Sequence, residues 1–293
     1  MGPGQTVRVR AYAKINLALE VLGRREDGFH EIVSVVQTIS LHDVVECRPA
    51  SEVRVQIDPP LEIALERNLA ERAAELVRAA SGRRDGATLH IKRKIPLSAG
   101  LGGGSSDAAA ALRGLNRLWR SGLRHAQLHG LAQLLGSDVP LFLVGGAVLV
   151  RGRGERLEPL PRLPTLWVAL ACPPCSSSEK TRALYDALRP EDMTDGRRTL
   201  SLADRLRSGE VPALGYAPNT FDRPAAQLYP GFEALRRRLS RAAGTALQLT
   251  GAGPSLYALF ATRTEAKWAA ARMAGLGVPS CLARSVGLSR VRS

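Results

Sequence analysis

Four glycines within five positions, Gly100, Gly102, Gly103 and Gly104, lie between Pro96 and the pair Ser105–Ser106 in KIPLSAGLGGGSSDAAAAL, residues 94–112. Glycine accepts positive φ and lets the backbone approach a ligand closely. Ser105 and Ser106 can cap the helix predicted by the alanine-rich run after them, with Asp107 in its first turn. A helix N-terminus offers free N–H groups and a positive dipole end, which suit an anion. The chemistry these parts could perform is the cradling of a polyphosphate. A flexible loop before a capped helix has the same composition. The spacing does not meet the dinucleotide fingerprint cleanly, and no GxxxxGK[ST] occurs, so the chain is not a P-loop NTPase.

Other residues admit two readings each. Lys14 interrupts the apolar run from Ala13 to Leu19, and Asn16, two residues on, shares its strand face. A strand lysine whose head reaches water looks the same. Asp138, in GSDVP at 136–140, has the composition of an ordinary turn before proline. Asn68 opens a predicted helix as its N-cap. Cys172 and Cys175 are half of a zinc site at best, with no second pair or flanking histidines to complete it. His125 and His129 lie four apart, but no glutamate follows the first, so they do not form HExxH.

These residues need elements to position them. Alternation predicts strands over 6–22, 31–40, 43–48, 53–57 and 87–93, with a turn at 23–28. Helical stripes fall over 68–80, 105–119 and 126–135. After a strand at 147–151, the proline-rich PLPRLP at 159–164 marks a domain boundary, giving segments 1–160 and 161–293. The second segment predicts strands at 165–172, 255–261 and 280–284. Its helices fall near 178–188, 200–207, 231–242 and 263–275, with a glycine turn at 251–253. Strands and helices mix without regular βαβ alternation, so the class is α+β.

Composition narrows the function. The 293 residues suit one large or two moderate domains. The charge of +14 comes from 36 arginines and 5 lysines against 27 acids. That balance suits a nucleic-acid binder, an enzyme of polyphosphate substrates, or a general arginine bias of the surface. Aromatics are only 4% and do not interleave with the basic residues, which weighs against single-strand binding. The longest apolar stretch, Val139 to Val150, contains Pro140 and is too short to span a bilayer as a helix. No apolar h-region opens the chain. Composition leads to the expectation of a cytoplasmic protein with no membrane partner.

Pro-x-x-x-Gly-Leu-Gly-Gly-Gly-Ser-Ser leading into a helix resembles the phosphate loop of the kinases for galactose, homoserine, mevalonate and phosphomevalonate. Within that superfamily the chain resembles the kinases of 4-diphosphocytidyl-2-C-methyl-D-erythritol. AKINLALEVLGRREDGFHEI at 13–32, LGSDVPLFL at 135–143, RGRGERLEPLP at 151–161 and TGAGPSLYALF at 250–260 follow the same order and spacing. The resemblance is weakest between 185 and 218.

It implies an enzyme with no nucleic-acid and no evident protein partner, built from a ribosomal-protein-S5-like first half and a ferredoxin-like second half with the active site between them. It also implies ATP as phosphoryl donor and Mg2+ as its companion, the metal ligands being left open with Ser106 and Asp107 as candidates. ATP would be held by Asn68 and by Pro96, Leu97, Ser98, Ala99, Gly100, Leu101, Gly102, Gly103, Gly104, Ser105 and Ser106. Asp138 would be the base and Lys14 its close partner. The small-molecule substrate would meet Asn16, Phe29, His30 and Thr181. Phe29 stands where relatives usually carry tyrosine. Thr181, in Ser176-Ser177-Ser178-Glu179-Lys180-Thr181, stands where they carry a second aromatic, and Tyr185 is a candidate replacement. Asn219 receives no role.

Overall fold

The computed structural model describes residues 6–60, 68–174, 180–210 and 217–287. Two long strands organise the first half. β1 (Val7–Arg24) and β2 (His30–Ala50) form an antiparallel hairpin along nearly their whole length. The expected break between residues 40 and 43 is a bulge inside one strand. Tyr12 pairs with His42 and Ala13 with Ile39, so Ser40 and Leu41 are extra on β2. A bulge bends a strand without ending it.

That bend lets β2 serve two partners. Its residues 32–37 pair with β5 (Ala147–Gly152), and 44–50 pair with β4 (Gly86–Lys92). β3 (Val53–Asp58) runs parallel to β4, and β6 (Arg156–Pro159) closes the other edge. The helices α1 (Leu69–Ser81), α2 (Gly103–Leu118) and α3 (His125–Leu135) pack together, and α2 lies on β1 and β2. Ala108 to Ala111 are fully buried, and their small side chains let α2 approach the sheet.

A four-stranded sheet of order β10-β7-β9-β8 makes up the second half. Its strands are β7 (Trp167–Ala171), β8 (Gln248–Leu249), β9 (Leu256–Phe260) and β10 (Ser280–Arg284). α8 (Phe232–Ala243) and α9 (Arg263–Ala274) pack together, and α9 also lies on this sheet. α5 (Lys180–Asp186), α6 (Arg197–Arg207) and α7 (Asp222–Leu228) complete the chain, α6 lying against β1 and β2. One apolar cluster joins Ile15, Val35 and Leu149 of the first sheet to Val168, Leu170 and Tyr257 of the second. The class is α+β, as the irregular mixture of strands and helices implied.

Three expectations need correction or limit. α2 starts two residues earlier than its composition suggested. Its N-cap is Gly102, at φ 73°, and neither serine caps it. The left-handed glycine turns the chain into the helix before the serines are reached. The short α4 (Leu141–Val144), β6, α7 and β8 escaped periodicity because so few residues show no repeat. Cys175 and residues 176–179 lie outside the described residues, and so do the zinc reading and most of the serine segment. Cys47 and Cys172 are free, and burial pushes both thiols up to about 12.

Glu46 on β2 ties three basic residues together. It pairs with Lys92 at 3.0 Å, Arg48 at 2.9 Å and Arg8 at 3.0 Å. The hydrogen bond from Lys92, with help from Arg48 and Arg8, outweighs burial and holds the carboxyl down at about 2. Its contribution is therefore present above the ordinary value of 4.5 and is lost as pH falls toward 2. Glu46→Gln is expected to lower Tm at neutral pH, with the difference from wild type shrinking below about pH 4. Paired thermal melts across that range check it.

Candidate active site

The loop between β4 and α2 forms one wall of a cleft of about 820 Å³. Gly100, at φ 77°, lets the loop lie against the turn Thr250–Gly253. A Cβ on Gly100 would sit 2.4 Å from the Thr250 carbonyl oxygen. Gly102 faces Phe142 and the stem of Lys14, and a Cβ there would sit 2.6 Å from Phe142 Cζ. A side chain at either position would push the loop off its support. Ser106 N–H bonds to Gly102 O at 2.9 Å, the first turn of α2. The N–H groups of Gly103, Gly104 and Ser105 precede that bond and have no partner within the helix. All three residues line the cleft. Ser106 is 1% exposed and Asp107 2%, and neither lies on the cleft wall. The structure therefore does not bring either of them to the cleft wall.

Lys14 is held from both halves of the chain. Its backbone N–H bonds Leu101 O at 3.0 Å, and its Nζ donates to Asn16 Oδ1 at 2.6 Å. Asn16 is fixed in turn. Its N–H donates to Thr250 Oγ1 at 3.1 Å, its side-chain amide to Ser34 Oγ at 2.8 Å, and its carbonyl accepts from Tyr257 Oη at 2.8 Å. Asn219 donates to the carbonyls of Leu249 and Gly251 at 2.9 and 3.1 Å, which pins the glycine turn beneath Lys14.

Asp138 stands exposed on the turn between α3 and α4, and it lines the same cleft as Lys14. The sequence reading put the two within a few ångströms. Among the described residues no ion pair within 4.0 Å joins them, and Lys14 Nζ is engaged by Asn16 instead. Asp138 acts on Lys14 through space. Burial pulls the Lys14 ammonium below its ordinary range, and the Asp138 charge works against that pull.

Part of the cleft lining is aromatic. The turn between β1 and β2 is closed by Arg25 N–H to Phe29 O at 2.8 Å and by Phe29 N–H to Asp27 Oδ1 at 3.1 Å. It presents Phe29, 51% exposed, with the Arg153 guanidinium 4.9 Å over its ring. His30 stacks on Tyr185, centroids 4.8 Å apart, and Tyr185 meets Phe221 edge-on at 4.9 Å. Burial, then Arg24, lowers the His30 pKa, which leaves a neutral imidazole at pH 7 with one donor and one acceptor. Burial, then the Asp138 charge, pushes the Tyr185 phenol up to about 12. Thr181 is exposed at the cleft's edge.

Asn68 spends its side-chain oxygen on the α1 cap, accepting from Ala70 N–H at 2.9 Å, and it is the next residue, Leu69, that lines the cleft. Arg24, Arg93, Arg153 and Arg182 also line it and were not singled out beforehand. Arg24 and Arg153 fall within the stretches 13–32 and 151–161, which gave them no role.

The GHMP kinases N terminal domain family matches residues 68–146, and the GHMP kinases C terminal family matches 211–278. A 4-diphosphocytidyl-2-C-methyl-D-erythritol kinase of Pelotomaculum thermopropionicum is 42% identical over 267 residues, which cover 89% of this chain and 92% of that protein. One of Gloeobacter violaceus is 40% identical, covering 92% and 91%. A crystal structure of 4-(cytidine 5'-diphospho)-2C-methyl-D-erythritol kinase matches with TM-score 0.80 and 34% identity, covering 96% of this chain and all of that one. Homoserine kinase from Cytophaga hutchinsonii, at TM-score 0.72 and 19% identity, covers 98% of this chain and 96% of that one and shares the fold. Among the described residues no helix is long and apolar enough to cross a membrane. The chain is an ATP-dependent kinase and belongs to the 4-diphosphocytidyl-2-C-methyl-D-erythritol kinase family of the GHMP kinases.

Proposed function

We propose that the protein transfers the γ-phosphoryl group of ATP to the 2-hydroxyl of 4-diphosphocytidyl-2-C-methyl-D-erythritol, in the non-mevalonate route to isoprenoids. The observation that carries this reading is one cleft lined by a glycine-rich loop at a helix start, a buried lysine, a carboxylate and an aromatic–imidazole pair. The relatives' names supply the substrate. The division near residue 160 belongs to the same reading, since one sheet ends at Pro159 and the other begins at Trp167.

The phosphates of ATP lie along the backbone from Pro96 to Ser105, on the N–H groups that open α2. Asn68 and Leu69 border the base. Phe29 stacks on the cytosine, and neutral His30 hydrogen-bonds its polar edge. Tyr185 backs His30, so Thr181 leaves the second face of the cytosine open. The substrate hydroxyl gives its proton to Asp138 as oxygen bonds to the γ-phosphorus and the bond to ADP breaks. Lys14, held by Asn16, places a positive charge where negative charge builds up. Magnesium, which neutralises charge between the β- and γ-phosphates, is proposed to arrive with the nucleotide. The loop's N–H groups would hold the phosphates that carry the ion, and no residue of this chain is assigned to the ion itself.

ADP release by purified protein with Mg-ATP tests the reading. Turnover is expected to require 4-diphosphocytidyl-2-C-methyl-D-erythritol. Turnover with homoserine or mevalonate in its place would overturn the assignment of Phe29 and His30.

A further inference from the structure

Behind the phosphate loop, off the cleft wall, two carboxyl groups face each other in the interior. Asp43 on β2 is fully buried, and Asp107 on α2 is 2% exposed. Asp43 Oδ1 accepts the backbone N–H groups of Lys94 and Ile95, the second at 2.7 Å. Asp107 Oδ2 lies 3.2 Å from Arg93 Nη2. The other oxygens, Asp43 Oδ2 and Asp107 Oδ1, find no donor. Yet the two carboxyls stand within hydrogen-bonding reach of each other.

Two ionised carboxylates cannot hydrogen-bond, and a buried acceptor without a donor is costly. One added proton removes both problems. It supplies the missing donor, and it brings the charge of Asp43, Asp107 and Arg93 together to zero. The proton belongs on Asp107. Asp43 receives two backbone N–H bonds that favour its ionised form. Burial, and then the Asp43 charge, raise Asp107 well above the usual carboxylate range.

We propose that Asp107 is a neutral acid at pH 7 that donates its O–H to Asp43, and that this bond clamps together the two ends of the phosphate loop. Asp43 holds Lys94 and Ile95, where the chain enters the loop. Asp107 stands on the helix into which the loop exits. The ends are in contact already, since a Cβ on Gly103 would sit 3.1 Å from Ile95 Cγ2 and 3.9 Å from Asp43 Oδ2. Asp107 is a positioning residue, because it does not line the cleft and reaches it only through Arg93, which does. Its consequence for ATP rests on the reading of the loop as the phosphate site.

Among the described residues, the charged groups acting on Asp107 are Asp43 from β2 and Arg93 from the end of β4. Raising the pH through the elevated Asp107 value removes the proton and sets two negative charges against each other. The loop's ends then separate and ATP binding weakens.

Two measurements test the clamp. Infrared spectra at pH 7 are expected to show the carbonyl band of a protonated carboxyl that Asp107→Asn lacks, and its absence from folded wild-type protein would overturn the proposal. The second is the KM for ATP between about pH 6 and 10. Asparagine can donate N–H where the acid donated O–H, so Asp107→Asn is expected within about twofold of wild type and without the alkaline rise in KM. Asp107→Ala is expected to raise KM about tenfold with kcat changing much less. Asparagine behaving like alanine would overturn the clamp. Gly102→Ala separates the two readings. If it leaves KM unchanged, the loop is not the phosphate site. If it raises KM while Asp107→Ala does not, the loop stands and the clamp fails.

Discussion

Asp138→Asn is expected to lower kcat by about 10²- to 10⁴-fold, the usual contribution of a positioned base, with KM for both substrates little changed. Asparagine keeps the shape and hydrogen-bonding reach of the side chain but cannot take a proton. The turn that carries it does not depend on the carboxylate. Val139 N–H bonds Gly136 O at 3.3 Å, and Pro140 leads directly into α4. Asp138 is exposed, so the substitution leaves no cavity. The variant should therefore fold and bind as wild type does. A second readout is independent of turnover. The Asp138 charge is one of two causes that raise the Tyr185 phenol, the larger being burial. Removing the charge should bring the Tyr185 titration down toward its ordinary value without reaching it. ADP release and an ultraviolet tyrosinate titration check the two effects. Full turnover in the variant would keep the kinase and remove Asp138 as its base.

The parts of the site that could be read from the sequence are those written locally. The phosphate loop announces itself because glycine, proline and helix-start chemistry fall within a dozen neighbouring residues. Lys14 stood out as a charge in an apolar strand, but a lysine reaching water reads the same, and only the resemblance gave it a role. What supports these residues was not visible. Thr250 reaches Asn16 across 234 positions and Tyr257 across 241, and only the packing of the second sheet against β1 brings them together. Asn219 could be given no task until its amide was seen bridging two carbonyls of the glycine turn. The start of α2 was misplaced for a related reason. Serines before a helix usually cap it, but a left-handed glycine upstream can take that position first. The Asp43–Asp107 contact was equally hidden, since one residue reads as a strand interruption and the other as a first-turn aspartate.

Lys14→Met should move activity and stability in opposite directions. Lys14 is 6% exposed, and its ammonium donates a hydrogen bond to Asn16 Oδ1 at 2.6 Å. Burying such a charge without a direct ion pair costs stability. Methionine has a similar length and no charge to desolvate, so Tm should rise or hold. The rate should fall by about 10²- to 10³-fold, the scale of one lost electrostatic donor in a closed site. Arginine should not rescue it. A Cβ on Gly251 would lie 2.9 Å from Lys14 Nζ, and one on Gly102 would lie 3.3 Å from Lys14 Cγ. Those glycines mark a passage with no room for a planar guanidinium.

The pH dependence carries its own sign. The folded Lys14 value is below 10.5, so between the two values the unfolded chain binds more protons and wild-type stability gains as pH rises. The Tm advantage of Lys14→Met should therefore shrink toward pH 10.5, while the wild-type rate falls over the same window as the ammonium is lost. Melts and initial rates on both proteins across that window test both effects. A methionine variant that keeps the wild-type rate would remove Lys14 from the reaction and leave it as a buried charge with no role in catalysis.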